Sequence, residues 1–219
     1  MKIVNLCSEN SIVQRIMSEL RDVNLQKDSH RFRWNLQRLG QIMAYDLSKT
    51  LTYEEKEIQT PLAVAKHNLP VDSVVLATIF RAGLPFHQGF LDVFDSAENA
   101  FVSAYRYYKD KECSEVGIKV EYIAAPDLTD KILVIADPML ATGGSFELAI
   151  EAFKSHGNPK HIHICAVVAC KAGLDYLKKL FKGQNVTIWT VVIDPILNEK
   201  KYIVPGLGDA GDLCYGGKI

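Results

Sequence analysis

The chain has 219 residues, of which 48% are hydrophobic and 23% are charged, and this fits one folded domain with a sizeable core. Its formal net charge of −1, from dispersed basic and acidic residues, excludes a general electrostatic attraction to nucleic acid. No apolar stretch is long enough to span a bilayer, and no signal-peptide pattern follows Met1.

Two amphipathic helices are predicted first. Ile12, Ile16, Met17 and Leu20 form one helical stripe, and a second stripe extends from about Ser29 to Lys49. Strands and helices then alternate. The predicted strands are Ser73–Ile79, Ala100–Tyr105, Lys131–Ala136, His161–Ala169 and Val186–Ile193, and the predicted helices are Pro85–Val93, Ser145–His156 and Gly173–Phe181. Near-continuous apolar strands between helices predict a parallel sheet that is covered on both faces.

Three polar residues follow predicted strands of this sheet. Arg81, Arg106 and Asp137 each come just after a strand, although they are far apart in the sequence. Ligands of parallel sheets bind beyond the carboxyl ends of the strands, so we expect these residues to lie near one ligand. Gly83, which follows Arg81-Ala82, is expected to permit close approach of the backbone to that ligand. The segment after Asp194 is rich in glycine and has little periodicity. We expect it to form a cap over this edge together with the N-terminal helices.

The segment from Ala136 to Ser145 is the most informative, because it joins a strand to a helix through an acidic turn and Thr-Gly-Gly-Ser. Two glycines allow successive N–H groups to converge, and the helix N-terminus adds a positive dipole end. Ser145 is also a candidate N-cap. The pattern favours a phosphate monoester site with Asp137 facing the rest of the ligand, although a plain connecting turn remains open. A P-loop is disfavoured, because no lysine follows the glycines.

Five cysteines show no C-x-x-C spacing, and Cys165 and Cys170 fall in or beside an apolar strand. We therefore expect a reduced, cytoplasmic protein. His161 and His163 alternate with isoleucines, and two histidines without a third ligand are only a weak metal signal. The charged stretch Lys109 to Glu115 is predicted to be a loop or the tip of a hairpin.

Four motifs resemble those of the uracil phosphoribosyltransferases, a branch of the type I phosphoribosyltransferases. They are Asp137 to Ser145 (DPMLATGGS), Tyr202 to Asp212 (YIVPGLGDAGD), Phe80 to Leu84 (FRAGL) and Tyr105-Arg106. They occur in the family order, and the resemblance extends from about Lys27 to the end. The chain departs from the common pattern at Phe80, where leucine is usual, and at Pro85-Phe86, which puts subunit contacts and effector response in doubt.

The resemblance implies an α/β fold of the type I phosphoribosyltransferases, with a central parallel sheet flanked by helices. As a single domain, it would have a core at about 70–195 and a cap, or hood, from 1–50 and 195–219. The implied reaction converts uracil and 5-phosphoribosyl 1-diphosphate (PRPP) to UMP and pyrophosphate in pyrimidine salvage. Mg²⁺ would be carried by the pyrophosphate, with no metal held by the protein alone. A homodimer or larger homo-oligomer is implied, and activation by GTP is left open.

The resemblance also implies roles for individual residues. Asp137, Asp209 and Arg106 would be catalytic. PRPP would bind at Arg81, Arg106, Asp137, Pro138, Met139, Leu140, Ala141, Thr142, Gly143, Gly144, Ser145 and Asp209. Uracil would bind at Ile203, Gly208, Asp209 and Ala210.

Two other functions compete with this interpretation. A regulator with the same fold that binds RNA and senses nucleotides would need a basic face, and the near-neutral charge argues against it. Transfer to orotate or a purine is disfavoured by the uracil-type C-terminal motif and by Pro138, which replaces the second acid that many relatives carry in this loop.

Overall fold

The computed structural model describes residues 1–108 and 116–217, with the backbone alone at 104–108 and 116–120. Its helices are α1 (Ile12–Arg21), α2 (Ser29–Ser48), α3 (Gly83–Leu91), α4 (Gly144–Phe153), α5 (Lys171–Leu180) and α6 (Ala210–Tyr215). Its strands are β1 (Lys2–Asn5), β2 (Tyr53–Gln59), β3 (Val64–Pro70), β4 (Val74–Ile79), β5 (Glu98–Tyr108), β6 (Val116–Ala124), β7 (Ile132–Ala136), β8 (Met139–Leu140), β9 (His161–Cys170), β10 (Val186–Asp194), β11 (Ile196–Leu197) and β12 (Ile203–Val204).

The main sheet has the strand order β1-β10-β9-β7-β4-β5-β6, and β8 pairs with β9. Every described pairing in it is parallel except that of β5 with β6. The predicted α/β class, the mostly parallel sheet and all five predicted strands are confirmed. Strands β1 and β6 at the two edges were not predicted, because a strand at an edge lacks the continuous apolar run of a central one.

Two layers of apolar side chains cover the sheet. On one face, Phe32 and Leu36 of α2 and Phe86 and Phe90 of α3 pack against Val134 and its neighbours. On the other face, residues of α4 and α5 such as Phe146 and Leu177 pack against side chains of β7, β9 and β10. This double burial explains why the central strands are apolar at successive positions rather than at alternate ones.

Strands β2 and β3 form a separate antiparallel hairpin that was not predicted. Its register runs from Tyr53 opposite Pro70 to Gln59 opposite Val64. Every residue of the two strands is exposed except Ala65, which is half-buried. Because neither face is buried, the two strands carry no alternation of apolar and polar residues for sequence reasoning to detect.

The predicted loop or hairpin tip from Lys109 to Glu115 lies outside the described residues. The strands on either side of it are antiparallel, from Phe101 opposite Ala124 to Tyr108 opposite Val116. None of the helices in the described part of the chain has the length and apolarity needed to cross a membrane.

Candidate active site

A cavity of about 320 Å³ lies at the carboxyl ends of β4 and β7, beneath the C-terminal segment. Sequence motifs that are far apart meet here. Its wall comprises Ile79, Phe80, Arg81, Ala82, Asp137, Met139, Ala141, Ser145, Lys201, Tyr202, Ile203, Gly208, Asp209, Ala210 and Gly211. The residues expected at PRPP and at uracil therefore share one cavity, apart from those described next.

Five expected PRPP residues with described side chains do not line this cavity. Pro138 and Leu140 are buried beneath it, where Leu140 belongs to β8 beside β9. Thr142, Gly143 and Gly144 lie at the start of α4, beside the cavity wall at Ser145.

Asp137 follows β7 directly and lines the cavity. Its N–H donates to the carbonyl oxygen of Cys165 at 3.1 Å, and its Oδ1 accepts a bond from the N–H of Met139 at 3.0 Å. Burial raises the pKa of the Asp137 carboxyl to about 7, although the bond from Met139 acts in the opposite direction. A carboxyl with this pKa gains or loses its proton near neutral pH, which is typical of functional sites.

The turn before α4 has the geometry of an anion site. Gly143 adopts a left-handed conformation at φ +87° and is the N-cap, and the Gly144 N–H donates to Thr142 Oγ1 at 3.4 Å. A Cβ atom on Gly143 would lie 3.0 Å from Leu177 and 3.1 Å from Tyr176 of α5. The side chains of Thr142 and Ser145 are exposed at the helix N-terminus, where hydroxyl and N–H donors favour a dianion.

The prediction that Ser145 is the N-cap is wrong. Helix α4 begins at Gly144, and Ser145 is its second residue. Serine is preferred at N-caps because of its side chain, but here the left-handed conformation of Gly143 starts the helix two residues earlier.

Arg81 lies in the turn after β4, and the peptide bond between Phe80 and Arg81 is cis. One terminal nitrogen of its guanidinium contacts Asp212 Oδ1 at 2.9 Å, and the other donates to the carbonyl oxygen of Gly216 at 3.3 Å. Its Nε is buried and makes no hydrogen bond within the described residues. Arg81 thus connects the cavity wall to α6.

The glycine after Arg81-Ala82 has a different role from the one predicted. A Cβ atom on Gly83 would lie 2.2 Å from Thr78 Oγ1 and 2.7 Å from the carbonyl oxygen of Ala136. Gly83 therefore permits close packing of α3 on β4 and β7, rather than close approach of the backbone to a ligand.

The expectation that Arg106 follows a strand is also wrong. Arg106 lies within β5 and pairs with Ile118 of β6. Strand β5 leaves its neighbour β4 at the pair Ile79 and Val102, and pairing with β6 continues it for six further residues. The side chain of Arg106 lies outside the described part of the chain.

The loop from Ile203 to Ala210 closes the other side of the cavity. Ile203 and Ala210 are buried, and Gly206 and Gly208 adopt left-handed conformations at φ +58° and +89°. Asp209 is the N-cap of α6, where its Oδ1 accepts the N–H of Asp212 at 3.0 Å. One carboxylate oxygen of Asp209 is therefore used in the cap.

Lys201 and Tyr202 also line the cavity and were not predicted as site residues. Lys201 has φ +64°, which is unusual for a residue with a side chain. Tyr202 begins the C-terminal motif, whereas for Lys201 the sequence offered only the pair Lys200-Lys201, and a turn between β11 and β12 is needed to bring it to the cavity.

His161 and His163 have a structural environment. Their rings stack at 4.2 Å, His161 Nε2 lies 2.9 Å from Thr187 Oγ1, and Trp189 Nε1–H donates to His163 Nδ1 at 2.9 Å. Burial lowers the pKa of His163 to about 3, helped by the charge of His161. Among the described residues there is no group of three side chains suited to hold a metal ion.

A protein-family model described as uracil phosphoribosyltransferase matches residues 7–217. A protein of that name from Porphyromonas gingivalis is 53% identical over 219 residues, which is 100% of both chains. The chain belongs to the uracil phosphoribosyltransferase family. A further member, from Methanothermobacter thermautotrophicus, is 36% identical over 210 residues, covering 95% of this chain and 93% of its own. The AQ2163 protein from Aquifex aeolicus has a similar structure, with a TM-score of 0.85, 32% identity and 99% coverage of both chains.

Phe80 departs from the leucine that is usual in uracil phosphoribosyltransferases, and the structure accounts for it. Its ring stacks on Tyr122 of β6 at 6.2 Å between centroids with an interplanar angle of 14°. It also contacts Phe101 of β5 at 5.8 Å. The larger side chain thus packs on two aromatic rings at the sheet edge, where such pairs are favourable.

Proposed function

We propose that this chain transfers the phosphoribosyl group of PRPP to uracil. In this reaction N1 of uracil loses its proton and bonds to the anomeric carbon, the bond from that carbon to the pyrophosphate oxygen breaks, and UMP and pyrophosphate are formed. The observation that carries the proposal is the single cavity shared by Asp137, the start of α4 and the loop from Ile203 to Ala210.

The 5-phosphate of PRPP would bind at the turn Thr142–Ser145. This assignment is supported by the left-handed N-cap at Gly143 and the exposed hydroxyls of Thr142 and Ser145 at the N-terminus of α4. Pro138, Met139, Leu140 and Ala141 would hold this turn against β9 through the short strand β8.

Asp137 would accept bonds from the ribose hydroxyls and stabilise the positive charge that develops on the ring as the bond to pyrophosphate breaks. A carboxylate at this point acts on a charge that exists mainly in the transition state. Arg81 and Arg106 would bind the leaving pyrophosphate, since planar guanidinium groups pair with phosphate oxygens. For Arg81 this requires exchange of its contact with Asp212.

Uracil would be read by backbone groups of the loop from Ile203 to Ala210, with Ile203 against the ring face. The edge of uracil presents an acceptor, a donor and an acceptor, and N–H and C=O groups at Gly208 and Ala210 can match that order. Asp209 would reach PRPP through the oxygen that does not cap α6. Cytosine places a donor where uracil accepts, so the same loop would reject it.

Mg²⁺ fits this site only as an ion shared with the substrate. Asp137 and Asp209 supply oxygen atoms in the cavity, and no described group of three ligating side chains would form a protein cage. When bound, Mg²⁺ would neutralise charge on the pyrophosphate. Asp209 would hold it through a water molecule.

The proposed cap consists of residues 1–50 and 195–219 of a single domain, whose core spans about 70–195. Its support is the packing of α2 on α6, where an Arg33 guanidinium nitrogen donates to the carbonyl oxygen of Cys214 at 2.6 Å. The enzyme would act in the cytoplasm.

A homodimer or larger homo-oligomer is part of the proposal. The exposed hairpin β2–β3 supports it, because a two-stranded hairpin without packing is marginally stable in water. We expect a mass in solution of at least twice 24.5 kDa. Replacing residues 54–69 by a short turn should then lower the number of subunits per particle in light scattering, and an unchanged number of subunits would contradict this role of the hairpin.

The central test is a panel of bases with PRPP and Mg²⁺, in which pyrophosphate release is followed. Uracil should be the preferred base, and cytosine should be at least about a thousandfold less efficient in kcat/KM, because two edge contacts are mismatched. 5-Fluorouracil should be accepted, since its edge is the same. Equal efficiency for uracil and cytosine would refute the base assignment, and RNA binding at physiological salt without UMP formation would favour the regulator.

A further inference from the structure

Asp194 is a buried carboxylate at the end of β10 that lies outside the cavity wall. Its side chain is 7% exposed. One terminal nitrogen of Arg21 contacts both of its oxygens, at 2.8 Å to Oδ1 and 2.9 Å to Oδ2. Its Oδ2 also accepts the N–H of Gly206 at 2.8 Å. Asp194 therefore joins the last turn of α1 to the loop that is proposed to bind uracil.

The bond to Gly206 is the only hydrogen bond from residues 205–208 to the rest of the chain within the described part. Among the described strands, β11 and β12 pair only with each other, at Ile196 with Val204 and at Leu197 with Ile203. Gly206 is tightly placed, since a Cβ atom on it would lie 2.1 Å from the carbonyl oxygen of Ile203. Besides the burial of Leu207 in the hydrophobic core, this backbone N–H and its acceptor hold the loop in place.

Because the Asp194 carboxylate is buried, it is a strong hydrogen-bond acceptor that must have partners. A buried carboxylate needs a cation and hydrogen-bond donors, and Arg21 and Gly206 supply both. Charge-assisted bonds are shorter and stronger than neutral ones, so Asp194 holds the Gly206 N–H more firmly than an uncharged acceptor would. Arg21 itself has a buried Nε with no described partner, which leaves Asp194 as the residue that orders its guanidinium.

We propose that Asp194, with Arg21 behind it, is a positioning residue that sets the place of the uracil-reading loop. This rests on the proposed function, in which Gly208 and Ala210 follow Gly206 by two and four residues. Displacement of Gly206 moves those backbone groups from the edge of the base. Among the described residues, no hydrogen bond or ion pair links Asp194 or Arg21 to the turn at Gly143, which is proposed to bind PRPP.

The test compares steady-state constants for uracil and PRPP in Asp194→Ala, Asp194→Asn and Arg21→Met. We expect Asp194→Ala to raise KM for uracil by roughly a hundredfold, and the other two by about tenfold, because a shift near 1 Å in alignment has effects of this size. KM for PRPP should change by less than about threefold in all three variants. Preference for uracil over cytosine should fall with the rise in KM, since the loop reads the base.

Asp72 provides a matched control at the opposite end of the sheet. Its carboxylate also bonds a basic side chain and a backbone N–H, Lys160 Nζ at 2.7 Å and the Thr52 N–H at 2.6 Å. Its side chain is 9% exposed. Asp72→Ala should therefore lower the unfolding midpoint in urea as Asp194→Ala does, with both KM values unchanged.

Two results would overturn the proposal: a KM for uracil in Asp194→Ala that equals that of Asp72→Ala, or equal rises of both KM values. If Asp194→Ala does not fold, Asp194→Asn and Arg21→Met decide in the same way. A wild-type chain that makes no UMP would instead refute the proposed function. An unchanged KM for uracil in Gly208→Ala, in an active enzyme, would refute the assignment of the loop and leave the role of Asp194 in the fold untouched.

Discussion

Replacement of Asp137 by asparagine should stabilise the protein at alkaline pH while it abolishes activity. Burial raises the pKa of this carboxyl to about 7 in the folded chain, against an ordinary value of 3.8. Between these two values the folded state holds a proton that the unfolded state has released. Stability therefore falls as pH rises through this range, and above pH 7 the ionised carboxylate costs its full amount.

The size of that cost follows from the two pKa values. The difference between about 7 and 3.8 is equivalent to at most about 4 kcal/mol of unfolding free energy at pH 8. Asparagine has the same shape, keeps an oxygen for the Met139 N–H, and carries no charge. Asp137→Asn should recover part or all of this free energy at pH 8 and almost none at pH 4.

Urea unfolding of both proteins at pH 4 and at pH 8 measures the effect, because other carboxyl groups cancel in the difference. Asp92→Asn is a control of opposite sign. Burial raises the pKa of Asp92, but amide hydrogen bonds from Gln37, Gln88 and Gln41 outweigh this and leave that pKa below its ordinary value. Loss of the Asp92 charge in Asp92→Asn should therefore destabilise the protein at pH 8.

Activity should depend on the protonation state of Asp137. If the ionised form of Asp137 stabilises the ribose, kcat/KM for PRPP in the wild type should rise with pH through about 7. Asp137→Asn should be inactive across the range. An Asp137→Asn protein that is no more stable than wild type at pH 8, or wild-type activity that is flat around pH 7, would refute the reasoning.

Three further predictions concern the rest of the site and the core. Gly143→Ala should raise KM for PRPP by about tenfold and cost about 1–2 kcal/mol of stability, because Gly143 has φ +87° and faces α5. Gly183 is also left-handed, at φ +82°, but lies in open space, so Gly183→Ala should leave KM for PRPP unchanged. The free energy of unfolding of the wild type should fall by at most about 5 kcal/mol as pH falls from 6.5 towards 3, because His163 has a pKa of about 3 when folded. In urea titrations, His163→Gln should flatten this part of the stability profile. An identical slope in both proteins would show that other groups dominate. Asp212→Asn should lower KM for PRPP by about two- to threefold, because it releases Arg81 from an exposed ion pair of small strength; a higher KM would instead mean that Asp212 orients Arg81 for pyrophosphate.

The sequence by itself determined the features that depend on local pattern. Continuous apolar runs predicted the central strands, because a strand between two helical layers is buried on both faces. The segment Thr142–Ser145 predicted a turn that binds an anion, because two glycines and two hydroxyl groups occur within four successive residues. The order of the motifs was enough to recognise the family, and the apolar run Lys131–Ala136 was enough to place Asp137 directly after a strand.

Tertiary structure alone decided what depends on contacts between distant segments. Gly83 was interpreted as facing a ligand, but its neighbours Thr78 and Ala136 belong to two strands. The contact of Arg81 with Asp212 joins residues 131 positions apart, and the contact of Arg21 with Asp194 joins residues 173 positions apart. No periodicity or motif spacing encodes such pairs, because their energy depends on burial and distance, and both exist only once the sheet has assembled.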